Sequence, residues 1–158
     1  MAEVYFWDAS ALVKVFVSNE KNHHLAQSLF NPVENLNLTN TFVFYESLGV
    51  FKRKAGDKRK NEQAYQNICE GLFDSVSLGR LKVYEIKIQF PDQLLAIRDI
   101  RKVYPKIDYS DAIQLLVLNK TIEMPLKYFY KHFLTADNSL AEAAQKEGIE
   151  VINLNDEW

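Results

Sequence analysis

Apolar residues along this chain alternate between short continuous runs and helical stripes. Val4-Tyr5-Phe6-Trp7 is an unbroken apolar run that stops at Asp8, the pattern of a buried strand entering a turn. Ala9 to Val17 then reads as a helix, His23 to Phe30 as a second, and Asn37 to Thr39 as a short strand. From Thr41 to Lys54 the spacing is helical, with Phe44, Leu48 and Phe51 on one stripe, and Gly56 breaks it. Asp57 to about Ser77 predicts another helix, with Ile68, Leu72 and Val76 on its buried side and Gly79 as its stop. Leu81 to Ile86 alternates with charged residues, as a strand does. Pro91 stands in the first turn of a helix that reaches about Val103 and is closed off by Pro105. Asp108 to Asn119 is a further helix, apolar on much of its surface. Phe133-Leu134 and Val151-Ile152 are the cores of two more strands, separated by a helix from Ser139 to Glu147 that Gly148 ends. Strands separated by helices predict an α/β fold with a parallel sheet covered on both faces. No repeat, low-complexity tract or linker divides the pattern, so one domain over 1–158 is expected.

Composition narrows the functional classes. The 47% hydrophobic content is ample for a packed core, which excludes wholesale disorder. A formal net charge of -2 gives no molecule-wide basic field, so any grip on nucleic acid must be local. One cysteine, Cys69, cannot form an internal disulfide and fits a reducing compartment. The N-terminus lacks the basic region of a signal peptide, and no apolar run approaches the roughly 18 residues of a membrane span. The expectation is a soluble cytoplasmic protein with no membrane partner.

The candidate chemistry lies in the acids. Ligands of a parallel α/β sheet bind beyond the carboxyl ends of the strands, where strand order reverses. Asp8 follows the first strand directly, and Asp137 follows the strand at Phe133-Leu134 and opens the next helix. Each is also a good helix N-cap, and capping alone explains either one. Glu46 is harder to explain structurally. Phe42, Val43 and Val50 share its helical stripe, so its carboxylate belongs in or beside buried surface, where an unpaired carboxylate usually takes up a proton or binds a cation; the bland alternative is a helix edge near solvent. Asp108 and Asp111 lie three apart on one helical face, in a capping-box-like arrangement. Asp108 is the better cap and Asp111, at the mouth of an apolar helix, the better ligand. Carboxylates gathered in one cleft need positive charge, and Mg²⁺ or Mn²⁺ supplies it through oxygen ligands and retained water. One or two such ions activate water for attack on a phosphodiester.

These residues resemble the PIN-domain family and, within it, the VapC-type toxins of toxin–antitoxin pairs. Asp8-Ala-Ser-Ala-Leu-Val-Lys14 is similar to the family's opening motif, an acid ending strand one and then a serine. Glu46, within Phe44-Tyr-Glu-Ser-Leu-Gly-Val-Phe51, matches the helix that supplies the second acid. Asp108-Tyr-Ser-Asp-Ala-Ile-Gln-Leu115 resembles the third motif, with Asp111 as its acid. Leu134-Thr-Ala-Asp-Asn-Ser-Leu-Ala141 resembles the fourth, Thr135 and Asp137 falling on its hydroxyl and acid positions. The resemblance spans nearly the whole chain in order. It implies a three-layer α/β/α sandwich around a mainly parallel sheet. It also implies divalent-metal-dependent RNA cleavage, with Asp8, Glu46, Asp111 and Asp137 as metal ligands and catalytic acids and with Ser10 and Thr135 supporting them. A small antitoxin partner and a homodimer follow from it as well. The stretch Lys120 to Lys131 is longer than the family pattern, and Asp108 is an acid whose role that pattern does not assign.

Other features carry weaker signals. Lys52-Arg53-Lys54 and Lys58-Arg59-Lys60 form a basic cluster, read either as solvated charge at a helix C-terminus or as phosphate contacts about 10 Å from Glu46. Arg98, Arg101 and Lys102 read as an exposed face. His23 and His24, adjacent on a helix, point about 100° apart and are poorly placed to share a metal. Cys69 reads as inert core, and the aromatics at Tyr5-Phe6-Trp7 and Tyr128-Phe129-Tyr130 read as packing more than as base-stacking platforms. Two rival functions remain. One is a phosphatase with Asp8 as nucleophile, against which Ser10 stands where the haloacid-dehalogenase type has a second acid. The other is a degenerate module that binds RNA or protein without cutting, although all four acids are present. No P-loop or G-x-G-x-x-G occurs.

Overall fold

The structure, a computed structural model, describes residues 2–56, 61–125 and 130–156. Twelve elements follow one another among these residues. They are β1 (Val4–Trp7), α1 (Ala9–Phe16), α2 (His23–Phe30), β2 (Leu36–Asn40), α3 (Thr41–Ala55) and α4 (Glu62–Ser77). β3 (Leu81–Tyr84), α5 (Asp92–Val103), α6 (Tyr109–Leu118), β4 (His132–Thr135), α7 (Asn138–Lys146) and β5 (Val151–Asn153) complete the order. The five strands form one parallel sheet in the order β3-β2-β1-β4-β5. The expected α/β/α sandwich is the observed architecture, with helices on both faces of that sheet.

Alternation along the central strand explains the two cores. Tyr5 and Trp7 enter a cluster with Leu12, Val43, Phe51, Leu72 and Leu134, which places α1 to α4 on one face. Phe6 points the other way and packs with Leu38, Ile97, Leu115, Phe133 and Leu140, beneath α5, α6 and α7. Phe6, Trp7, Phe51 and Phe133 are fully buried, each contributing about 1.5–3 kcal/mol of apolar transfer. The indole N–H of Trp7 donates to Asn37 Oδ1 at 2.9 Å, so its one polar atom is satisfied inside the core.

Strand order sets the place of the site. The chain moves outward from β1 through β2 to β3, then crosses back beneath α5 and α6 to β4 on the other side of β1. The carboxyl ends of β1 and β4 therefore border the crevice where winding reverses. Asp8 N–H still donates to Leu134 O at 2.9 Å, so Asp8 sits on the last rung of that pairing.

Element boundaries depart from the sequence pattern for local reasons. β3 stops at Tyr84 instead of Ile86, because its partner β2 ends at Asn40, which pairs with Tyr84 before the chain turns into α3. β2 itself extends from Leu36 to Asn40, since Val4 pairs with Leu36 at its other end. Among the described residues α4 runs from Glu62 to Ser77, and the expected start at Asp57 lies outside them, as residues 57–60 do. Pro91 is the residue before α5, and Asp108 and Asp137 are the caps of α6 and α7. No described helix is long and apolar enough to cross a membrane.

Candidate functional site

Asp8 is the anchor of the crevice. It is only 5% exposed, and its Oδ2 accepts the Ser10 hydroxyl at 2.6 Å, the Thr135 hydroxyl at 3.1 Å and the Ser10 N–H at 3.2 Å. The two hydroxyl oxygens also lie 3.1 Å apart. Ser10 Oγ is itself the acceptor of the Ala136 N–H at 2.8 Å, and Thr135 Oγ1 of the Asp137 N–H at 3.0 Å. The chain following β4 thereby orients the carboxylate following β1, and none of the three bonds to Asp8 engages Oδ1. Ser10 and Thr135, both singled out by the sequence, are thus hydrogen-bonded to Asp8. Burial pushes the Asp8 carboxyl above its ordinary range, and these hydrogen bonds only partly restrain it.

A second hydrogen-bonded group joins the two helical layers. Ser110 Oγ lies 2.9 Å from Glu46 Oε1 and 2.8 Å from Asp108 Oδ1, linking α3 on one face of the sheet with the start of α6 on the other. Asp108 caps α6 by accepting the Asp111 N–H at 2.9 Å, and Asp111 Oδ2 accepts the Asp108 N–H at 3.3 Å, completing a capping box. Glu46 is half-buried on the stripe with Phe42, Val43 and Val50. Burial and the Asp8 charge raise its carboxyl, opposed by the Ser110 hydrogen bond and the Arg53 charge. The Asp111 carboxyl is pushed up to about 7 by burial and by the charges of Asp108, Asp8 and Asp137. Asp108 runs the other way. Burial would raise it, but hydrogen bonds from Asp111 and Ser110 and the Arg101 charge bring it below its ordinary range.

The four acids picked out by the sequence are therefore electrostatic neighbours, held by separate local networks. Asp8 belongs to the Ser10–Thr135 clamp, and Glu46 and Asp111 meet through Ser110 and Asp108. Asp137 caps α7 through Leu140 N–H at 2.9 Å and reaches the others through its charge on Asp111. Among the described residues, no group of three or more His, Cys, Asp or Glu side chains is arranged to hold a metal ion as it stands. The donor chemistry nonetheless suits a hard divalent cation, because carboxylate and hydroxyl oxygens are the groups on offer. Burial and, after it, the charges of Asp108, Asp8 and Asp137 lift Asp111 to about 7, and a bound cation would relieve the repulsive part.

Sequence reasoning missed three supporting residues. Ser110 carried no signal beyond its place between two acids. Asn40 caps α3 by accepting Val43 N–H and donates to Gln114 Oε1 at 2.9 Å, a buried bond between the end of β2 and α6. Its helix-capping composition was visible, but its tertiary partner was not. Arg101 separates from its neighbours: Arg98 and Lys102 pair with Asp99, whereas Arg101 is half-buried beside Tyr109.

Lys54 pairs with Glu20 at 2.6 Å, while Lys58, Arg59 and Lys60 lie outside the described residues, as do Tyr128 and Phe129. Tyr130 packs against Phe6 and donates to Leu118 O at 2.7 Å, a core role. His23 Nδ1 contacts Lys14 O at 2.8 Å, and Cys69 is buried, its thiol raised by that burial.

No protein-family model matches this chain, and no curated protein matches it. Its fold is similar to the crystal structure of PAE2754 from Pyrobaculum aerophilum, with a TM-score of 0.60 and 17% sequence identity over 98% of this chain and 92% of that one. At that identity the likeness speaks for the fold alone.

Proposed function

We propose that the chain is a Mg²⁺- or Mn²⁺-dependent ribonuclease that hydrolyses RNA phosphodiester bonds, with Asp8, Glu46, Asp111 and Asp137 holding the cation. The observation that carries this reading is the buried Asp8 carboxylate at the strand-order reversal, electrostatically coupled to Glu46 and Asp111, all three raised above the ordinary carboxylate range. When bound, a divalent ion supplies a water of lowered pKa and offsets charge on the scissile phosphate. Ser10 and Thr135 hold Asp8 in one orientation through Oδ2. Ser110, at the start of α6, hydrogen-bonds Glu46 on α3 and so joins the two layers at this point.

The role of toxin in a VapC-type toxin–antitoxin pair, a blocking antitoxin and a homodimeric state extend this proposal on the strength of the four sequence motifs. Co-purification of the chain with the product of its neighbouring reading frame tests the antitoxin, and light scattering tests the dimer.

The reaction is tested by incubating purified protein with labelled single-stranded RNA and Mg²⁺ or Mn²⁺. Cleavage should vanish in EDTA and fall by about three orders of magnitude or more in Asp8→Asn and Asp111→Asn. Equal cutting by these variants and the wild type would place the reaction elsewhere. Phosphoryl label trapped on Asp8 would mean a phosphatase, and RNA binding with no metal-dependent cutting a non-catalytic module.

A further inference from the structure

An acid-lined crevice repels a phosphodiester chain, so a nuclease reading raises the question of which cations bring the strand in. Two arginines answer it from opposite layers. Arg53, on α3, turns back along its own helix, with Nη1 3.7 Å from where a Cβ of Gly49 would lie. Gly49 is one turn before Arg53 and Glu46 nearly one turn before that, and the Arg53 charge is felt at the Glu46 carboxyl. Its neighbour Lys54 is tied to Glu20 instead.

Arg101, on α5, is the counterpart. Its guanidinium carbon lies 6.0 Å from the centroid of the Tyr109 ring, its Nε is buried without a hydrogen-bond partner, and its charge is felt at Asp108. Tyr109 is 61% exposed although it carries a full aromatic ring, and it begins the helix that bears Asp111. Between the two arginines, Ser110 Oγ joins Glu46 to Asp108. The order across the crevice is thus cation, acids, cation, with an open aromatic ring beside the second cation.

We propose that Arg53 and Arg101 are the phosphate-positioning residues on the two walls of the crevice, and that the exposed Tyr109 ring stacks on an unpaired base of the same strand. This rests on the ribonuclease reading and names how its substrate is held. Guanidinium groups suit it because they bind phosphate oxygens bidentately and remain charged at any working pH. An exposed tyrosine suits it because base stacking tolerates any sequence.

The test is fluorescence anisotropy of a labelled 12-nucleotide oligouridylate against the full chain carrying Asp8→Asn, without metal, across a salt series. Arg53→Gln and Arg101→Gln should each weaken binding by about 5- to 20-fold and reduce the slope of log Kd against log salt by about one. Arg101→Lys should keep the slope while binding less tightly than the parent. Tyr109→Ala should weaken binding by about 5- to 50-fold with the slope unchanged. Lys102→Gln removes the same charge from the same helix and should stay within about twofold. If the arginine variants behave like Lys102→Gln, the positioning role is wrong. If Arg101→Gln lowers the melting temperature while leaving the salt slope intact, its role is structural and the proposal likewise fails. The outcome is independent of catalysis, since absent cleavage by the wild type with Mg²⁺ or Mn²⁺ defeats the ribonuclease reading while these binding ratios are read without turnover.

Discussion

Asp111 combines two roles that pull against each other: an N3 capping partner at the start of α6 and a carboxylate facing three others. Its capping bond accepts the Asp108 N–H, yet burial and the Asp108, Asp8 and Asp137 charges lift it to about 7. A carboxyl whose folded-state pKa is raised binds its proton more tightly in the folded protein. Its contribution is therefore most favourable below the unfolded value near 4 and is lost as pH climbs towards 7. In EDTA, thermal unfolding should show stability falling over that window, with Asp8 and Glu46 acting in the same direction. Asp111→Asn should flatten the profile and raise the midpoint at pH 8 by about 2–6 °C, after allowing for solvent screening at its exposed edge. A wild-type midpoint that rises from pH 5 to pH 8 would contradict this account. Ser110 gives a second residue-scale expectation. Ser110→Ala removes the only hydroxyl shared by Glu46 and Asp108 among the described residues, so denaturant unfolding should show a loss of about 0.5–1.5 kcal/mol. Its effect on RNA cleavage should exceed that on stability, because it also frees Glu46 to move away from α6.

At the scale of elements, α3 and α6 are the pair that matters, since they come from opposite faces and contribute Glu46 and Asp111. Asn40 joins the start of α3 to the middle of α6. Its Oδ1 is occupied by the Val43 N–H, which commits its Nδ2 to Gln114 Oε1 and leaves Gln114 Nε2 as a buried donor without a partner. Asn40→Ala removes the cap and strips Gln114 of its remaining side-chain bond. Chemical denaturation should show a loss of about 2–3 kcal/mol. Asn40→Asp keeps the cap acceptor but places a carboxylate against Gln114 Oε1, and it should recover only part of that loss. A change under about 0.5 kcal/mol in Asn40→Ala would mean that the buried bond contributes nothing to holding the layers together.

For the whole molecule, the architecture turns local caps into a shared electrostatic problem. Each acid begins as a sensible helix-end or helix-face residue, and the doubly wound sheet brings them close enough to feel one another's charge. A cation that binds there stabilises the folded state by mass action, about 2.7 kcal/mol at 100-fold excess over its Kd. Proton competition makes this pH-dependent, because ligand carboxylates must be ionised. Thermal melts with Mn²⁺ should therefore rise more at pH 8 than at pH 5.5. The increment should shrink sharply in Asp8→Asn. An equal increment at both pH values would show that the raised carboxyls are not the binding groups.

The periodicity of the chain by itself determined that strands and helices alternate, and hence the parallel layered fold, because burial on two faces of a sheet dictates continuous apolar strands and one-sided helices. Asp8, Asp137 and Asp108 were legible as caps because capping is local chemistry, and Glu46 was legible because its stripe is otherwise apolar. Other features required the tertiary structure. β3 ends where β2 leaves it, Ser110 reaches Glu46 across 64 positions of sequence, and Arg101 leaves the face of Arg98 and Lys102 for Tyr109. These depend on which elements become neighbours. Strand order and layer packing decide that, and so they also decide which acids come close enough to feel one another's charge.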